Sequence, residues 1–254
     1  MSAPSVLCGG AGRCSEGRTT TTTALENRLL DALPAEVAGS VMGALERVVL
    51  PRRSTIYSLG EAMDFVYFPI DAVLSVVTVM RDGTQIEVLT IGREGLCGAQ
   101  VLLDGETVTT MTVCQVGGDA YRMPSPLFIG LCREWPVFRS LVERLLSAQM
   151  DVMAQSIACN RLHLVNERCA RWLLTMHDRV GRAEFPLTHE LLATMLGVRR
   201  AGVSIAAAAL QQAGYIRYVR GRFTVVDHAG LADAACECYD AINNAYDARL
   251  LSIV

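Results

Sequence analysis

The sequence predicts an α+β fold in two parts: an N-terminal antiparallel β-barrel of jelly-roll type, and a small helical C-terminal unit ending in a β-hairpin, with one long helix between them. Three observations predict it. Residues 46–124 hold short β-rich runs broken by Gly, Pro and Asp. After Pro136, apolar side chains recur at a helical period. Further on, Gly197 separates two short amphipathic segments that directly precede an arginine-rich hairpin.

The chain has 254 residues, 51% of them hydrophobic, enough for two separate cores. No apolar run approaches the roughly 18–20 residues a membrane span needs, and no basic stretch leads into an apolar one at the N-terminus. A soluble cytoplasmic protein with no membrane partner is expected. All 23 basic residues are arginine, against 26 acids. Residues 1–180 carry a net charge of −3, residues 181–227 +3 and residues 228–254 −3, so the positive charge is local.

Residues 1–22, rich in Gly, Ser and Thr, have no apolar period and are expected to form a disordered tail. A sensor unit is expected over 23–135. Thr23-x-x-Glu26 has capping-box spacing ahead of Leu25, Leu29 and Leu30, and a second short helix follows Pro34 with Val37, Val41 and Met42 on one face. Ala72–Met80 and Thr84–Ile91 flank Asp82-Gly83, which predicts a hairpin, and further strand runs lie at 97–103, 107–116 and 119–123.

A long helix is expected over 136–160, about 37 Å at 25 residues. Phe138, Val142, Leu145 and Val152 form one stripe, and Leu146, Met150, Met153 and Ile157 the next. The first is expected against the barrel. The second is expected against the same helix of another copy, with Gln149 and Ser156 as polar interruptions in that seam. Burial wholly within one chain is the alternative.

Residues 161–227 read as the C-terminal unit. A helix over about 163–180 carries Leu164, Leu173, Leu174 and Met176 and ends at Gly181. Thr188 caps the next helix, beginning with His189, whose buried face is Leu191, Leu192, Met195 and Leu196, with Ala193 small enough for close packing. Gly197 supplies the turn above Val198, and a second helix from about Arg199 buries Val203, Ala206, Ala207 and Leu210. This spacing is that of a helix-turn-helix, in which the second helix enters the major groove by its N-terminal end. Arg199, Arg200, Ser204 and Gln211 are its polar candidates for DNA, and Gly202 is read as leaving room for the duplex. The hairpin Tyr215–Val226 alternates apolar residues with arginine about a Gly turn, so Arg217, Arg220 and Arg222 are expected along the phosphate backbone, as on the wing of a winged helix-turn-helix. Thr188 and His189 complete the set of candidate DNA-binding residues. Residues 228–254 read as a helical extension through Leu231, Cys236 and Ile242.

The nine cysteines are an odd number with no secretion signal, so reduced thiols are expected. Cys8-x5-Cys14 and Cys236-x-Cys238 have spacings that bind metals, but neither makes a set of four ligands. No metal and no cofactor are therefore expected. Nor is an enzyme, since no nucleophile is paired with a base and no phosphate loop is present.

Over about residues 25–227 this order of barrel, long helix, helix-turn-helix and Arg-rich hairpin resembles the Crp/Fnr family of bacterial regulators, with a cyclic-nucleotide-binding-like barrel. The resemblance implies a homodimer that reads a two-fold symmetric promoter site in double-stranded DNA and contacts RNA polymerase. It also exposes departures. Family members that bind cyclic AMP hold its phosphate with a Gly-Glu pair and, some ten residues on, an Arg-Ser or Arg-Thr; the matching stretch Gly98–Thr109 has Ala99 at the acidic position and valine near the arginine one. No cyclic-AMP response is expected. The oxygen-sensing branch uses three N-terminal cysteines and one in the barrel, whereas only Cys8 and Cys14 stand at the N-terminus here and Tyr121 matches the barrel position. In the recognition helix Ala201 and Ile205 stand where many members have an acid and a second arginine, so the usual target sequence does not transfer. The effector stays open between an uncharged ligand, a redox signal through Cys97 or Cys114, and none. The alternative function is a sensor acting through protein partners.

Overall fold

A computed structural model describes residues 26–103 and 107–250, with the side chain of Leu250 left aside. The readings placed on residues 1–22, Thr23, Leu25 and Asp104–Glu106 lie outside these. The first helix, α1 (Arg28–Asp31), is capped by the side chain of Asn27, which accepts from the N–H groups of Leu29 and Leu30. Glu26 sits outside that helix with φ of 63°, so the capping role read for it passes to Asn27. Asn27 is fully buried and its amide donates to Pro69 O and Gly95 O, which ties the helix to the sheets. Pro34 opens α2 (Ala35–Gly43), where Val37 and Val41 are buried but Met42 faces solvent, against expectation.

Seven strands follow: β1 (Glu46–Leu50), β2 (Thr55–Tyr57), β3 (Phe65–Pro69), β4 (Val73–Val79), β5 (Gln85–Ile91), β6 (Met111–Val116) and β7 (Gly118–Pro124). They form two antiparallel sheets ordered β1-β7-β3 and β2-β6-β4-β5. The β4–β5 hairpin turns at Asp82-Gly83 as the sequence predicts; Asp82 accepts from Thr84 N–H at 2.9 Å and Gly83 has φ of 83°. The run at 97–103 is not a strand, because Ala99–Leu103 forms a 3₁₀ turn. Ala99 is buried in this turn while Leu103 faces solvent, and Cys97 pairs with Tyr67 only as an isolated bridge.

Two helices close this half: α3 (Ser125–Glu134) and the long α4 (Pro136–Leu162). Phe138, Val142, Leu145 and Val152 are buried against the sheets as read. Gln149 belongs with them: it is 3% exposed and donates to Leu96 O at 3.0 Å, so it faces the barrel and not the outer seam. A third face of α4 meets the last helix, α9 (Cys238–Leu250), through Arg249 to Asp151 and Gln155 to Cys238. Of the outer stripe, Leu146 and Met153 are half-buried at the edge of the core, while Met150 is 65% and Ile157 72% exposed.

The C-terminal half has its own core around α5 (Val165–Val180), which Gly181 ends with φ of 65°. Leu164 precedes this helix and is exposed, because a cap position points away from the buried face. The strand β8 (Glu184–Pro186), not read from the sequence, leads into α6 (His189–Leu196), α7 (Arg200–Gln212), β9 (Ile216–Val219), β10 (Arg222–Val225) and α8 (His228–Asp233). The small sheet is ordered β8-β10-β9.

The halves meet where α5 crosses the four-stranded sheet. Arg179 and Glu94, each with a side chain 7% exposed, pair at 2.6 Å. Trp172 Nε1 donates to Glu87 at 2.7 Å, and Ser75 and Thr90 donate to the same carboxylate. Gly92 allows this approach, since a Cβ there would lie 2.7 Å from Arg179 Cβ. No single helix among the described residues is long and apolar enough to cross a membrane.

Candidate nucleic-acid interface

The exposed corner of the C-terminal half is built from two helices that cross at 110°. Thr188 starts the first, its hydroxyl accepting from Leu191 N–H at 3.2 Å. Leu192, Ala193, Met195 and Leu196 then point inward. Gly197, with a left-handed φ of 62°, turns the chain, and a Cβ there would meet the tip of Ile86 at 2.7 Å. Val203, Ala206, Ala207 and Leu210 bury one side of α7 on α5 and α6.

The other side of α7 carries Arg200, Ala201, Ile205, Ala208 and Ala209 in solvent, Ile205 at 72% exposure. Arg199, in the N-cap position, is exposed beside them. Arg200 lies 3.6 Å from Glu190 with both side chains mostly exposed, an ion pair weak enough for a phosphate or a base to displace. Gly202 does not open this face. A Cβ there would point toward Val165 at an ordinary contact distance of 3.9 Å, toward α5 rather than into the solvent in front of α7.

The wing projects beside α7. Its two-residue turn is Arg220-Gly221, with φ of 49° and 77°, which places the Arg220 side chain at the tip. Arg217 and Arg220 are exposed and form no ion pair among the described residues. Arg222 is held by Glu184 across the β8–β10 pair, and this arginine draws the Glu184 carboxyl below its ordinary range. Because β8 was not read from the sequence, this acid opposite a wing arginine was missed.

Two of the candidate DNA-binding residues make contacts within the unit. His189 is partly buried, stacks on Tyr218 with ring centroids 4.3 Å apart, and has Nδ1 3.0 Å from the hydroxyl of Ser204. Burial first, and the nearby Arg200 charge second, lower its pKa and keep it neutral. Gln211 accepts from Tyr218 N–H at 2.8 Å and so fixes the wing to α7. Tyr218 links both, and only its place two residues before the hairpin turn could have marked it.

The sheet half holds a cavity of about 150 Å³ lined by Tyr57, Met63, Val76, Cys97, Gln100, Thr107, Val108, Thr109, Thr110 and Thr112. Among the described residues no charged side chain lines it. Gly98, with φ of 95°, keeps the chain close to Tyr57, whose hydroxyl a Cβ would strike at 2.3 Å. Burial pushes the Cys97 thiol up to about 12 and that of Cys114 up to about 11, so both stay protonated and unreactive.

Residues 167–234 match the model of the Crp-like helix-turn-helix domain. No curated protein matches the chain. Among solved structures, FixK2 from Bradyrhizobium japonicum is 13% identical, with a TM-score of 0.65 over 76% of this chain and 98% of that one. A Crp/Fnr family transcriptional regulator from Thermus thermophilus is 19% identical, with a TM-score of 0.59 over 75% of this chain and 98% of its own. A Crp family regulator from the same organism is 23% identical, with a TM-score of 0.60 over 76% and 99%. At these identities the likeness is one of fold. Residues 167–234 are thus similar to a Crp-like helix-turn-helix domain, and the chain as a whole is similar in fold to regulators of the Crp/Fnr family.

Proposed function

We propose that the protein is a homodimeric transcription regulator of the cytoplasm that binds a two-fold symmetric promoter site and answers to no cyclic AMP. The observation that carries the reading is the exposed arginine set on one face of the Crp-like unit: Arg199 and Arg200 at the head of α7, and Arg217 and Arg220 on the wing. The α7 arginines stand where a recognition helix meets base edges, the wing arginines where a backbone would pass. Ser204, Ile205 and the exposed alanines offer little further hydrogen bonding, so discrimination rests on few contacts, on thymine methyl contact and on DNA shape.

Dimerisation is supported by the stripe Leu146, Met150, Met153, Ile157, whose spacing of 4, 3 and 4 is that of a coiled-coil seam and of which Met150 and Ile157 are exposed while Leu146 and Met153 are half-buried. RNA polymerase as a partner rests on the family alone. Independence of cyclic AMP rests on Ala99, fully buried, and Val108, 7% exposed, at the positions where a phosphate would need charge.

Binding to promoter fragments recovered from the genome by the protein itself, followed by fluorescence anisotropy, tests the reading. Arg200→Ala is expected to cost about 1–3 kcal/mol and to relax specificity, whereas Arg217→Ala should weaken all sequences alike and flatten the salt dependence. Ile157→Asp should yield a monomer in sedimentation. Unchanged affinity after Arg199, Arg200, Arg217 and Arg220 are all replaced by Ala would overturn it.

A further inference from the structure

Beyond the DNA-binding face, the described residues hold a cluster that no part of this function uses. Cys159, His163, Cys236 and Cys238 each offer one ligand atom, and all four atoms lie within 4.8 Å of one another. The sequence brings them from two places: Cys159-x3-His163 at the end of α4, and Cys236-x-Cys238 at the start of α9. The second pair alone was two ligands short. The packing of α9 along α4 supplies the missing two, which no spacing rule could reveal.

We propose that these four side chains bind one zinc ion, through three thiolate sulfurs and His163 Nδ1. With zinc–sulfur bonds of about 2.3 Å and zinc–nitrogen bonds of about 2.0 Å, a tetrahedral site sets sulfurs about 3.8 Å apart and sulfur about 3.5 Å from nitrogen. Cys159 Sγ and Cys236 Sγ are 3.6 Å apart, and Cys238 Sγ is 3.4 Å from His163 Nδ1. A disulfide needs the sulfurs at about 2.0 Å, and an iron–sulfur cluster spreads its ligands over several metal atoms. Neither matches four donors gathered about one point.

The surroundings fit the ion as well. His163 turns its other nitrogen, Nε2, to Glu237 at 3.1 Å, the arrangement by which a carboxylate orients a ligating imidazole. Gln155 Nε2 donates to Cys238 Sγ at 3.0 Å. Three thiolates around one zinc ion leave a net charge of −1. Arg168 and Arg171, 5% and 8% exposed, lie near enough for their charges to act on Cys159 and Cys236. The Nε of each is buried without a hydrogen-bond partner among the described residues. Two buried guanidinium groups with spare donors beside neutral thiols would be poorly compensated; beside a zinc thiolate they are matched.

The position gives the ion a task. Cys159 and His163 straddle the last turn of α4, just before α5 begins at Val165, so the zinc would pin the junction between long helix and DNA-binding unit to α9. Zinc binding releases a proton from each thiol that still carries one, and no electron transfer is involved.

The test uses the full-length protein, purified under reducing conditions from zinc-supplemented cells, with elemental analysis and then exchange of the metal for cobalt(II). One equivalent of zinc per chain is expected. The cobalt form should show thiolate charge transfer and the intense visible bands of a tetrahedral site. Cys159→Ser and Cys236→Ser should lose the metal while circular dichroism reports a folded protein. His163→Cys should keep one equivalent with a shifted cobalt spectrum, which separates loss of a ligand from loss of the fold. Glu237→Gln should weaken zinc binding about 10-fold, the low end for a supporting contact, since Glu237 is exposed. Protein without zinc that fails to take up cobalt, a Cys159–Cys236 disulfide, or iron–sulfur absorption would each overturn the proposal. The DNA-binding reading would stand in any of these cases.

Discussion

The seam between α5 and the four-stranded sheet and the arginine face of α7 and the wing treat charge in opposite ways. In the seam, Arg179, Glu94 and Glu87 are buried and every one is matched at hydrogen-bond distance. On the face, Arg199, Arg200, Arg217 and Arg220 are exposed, and the one ion pair among them, Arg200 with Glu190, is 3.6 Å long. A buried charge that loses its partner leaves an uncompensated ion in a low dielectric, whereas an exposed one loses almost nothing. Changes in the seam should therefore unfold the protein, and changes on the face should leave it folded and unable to bind.

The largest expected effect tests the first half of that contrast. Arg179→Ala strands Glu94 and should cost about 3–5 kcal/mol in chemical denaturation. Replacing both partners, Arg179→Met with Glu94→Leu, should recover part of the loss, because no charge is then left alone. The recovery stays partial: Gly92 N–H donates to Glu94 at 3.0 Å and would lose its acceptor. A cost for Arg179→Ala no larger than that of an exposed arginine would break the contrast.

The two regions also differ in how far the sequence discloses them. Thr188, Gly197 and the buried set Leu192, Met195, Val203 and Leu210 were legible because capping, a left-handed turn and helical period are local effects. The β4–β5 hairpin was legible for the same reason, through Asp82-Gly83. The seam was not. Nothing near Glu94 announces Arg179, 85 residues away, and a lone Gly92 does not reveal which backbone it admits. Long-range packing likewise decided that Gln149 faces the barrel, that α9 takes one side of α4, and that His189 and Gln211 brace the wing. The exposure of the candidate site was thus legible, and the hydrogen-bond partners of its residues were not. Exposure follows from local pattern, but the partner of an exposed group does not.

Arg220 sharpens the contrast at a smaller scale. It occupies the left-handed region at φ of 49°, where a side chain costs about 1–2 kcal/mol over glycine and where Asn or Gly is the usual choice in such a turn. An arginine in this turn presents its charge at the tip at the expense of some stability. Arg220→Asn should raise stability by about 1 kcal/mol while weakening DNA binding and lowering its salt dependence. A variant that gained stability and bound DNA as well as before would remove Arg220 from the interface.

The smallest expected effect sits where the two regimes meet. His189 is half-buried beneath the arginine face, against Tyr218 and Ser204, and the groups that act on it are burial and the Arg200 charge, both opposing a proton. Its pKa in the folded protein therefore lies below the unfolded value of about 6.5. The unfolded chain binds the proton first as pH falls, so the contribution of His189 is full above about pH 6.5 and declines below it. Denaturation midpoints of the protein and of His189→Gln should differ most at neutral pH and converge toward mildly acid pH. Arg200→Ala removes the smaller of the two opposing causes, so the folded pKa moves back toward the unfolded value and the decline below about pH 6.5 becomes shallower, with most of it kept because burial is the larger cause. A gap between protein and His189→Gln that stays constant with pH would show that the imidazole titrates alike folded and unfolded, and that the face above it exerts no field on the braces below.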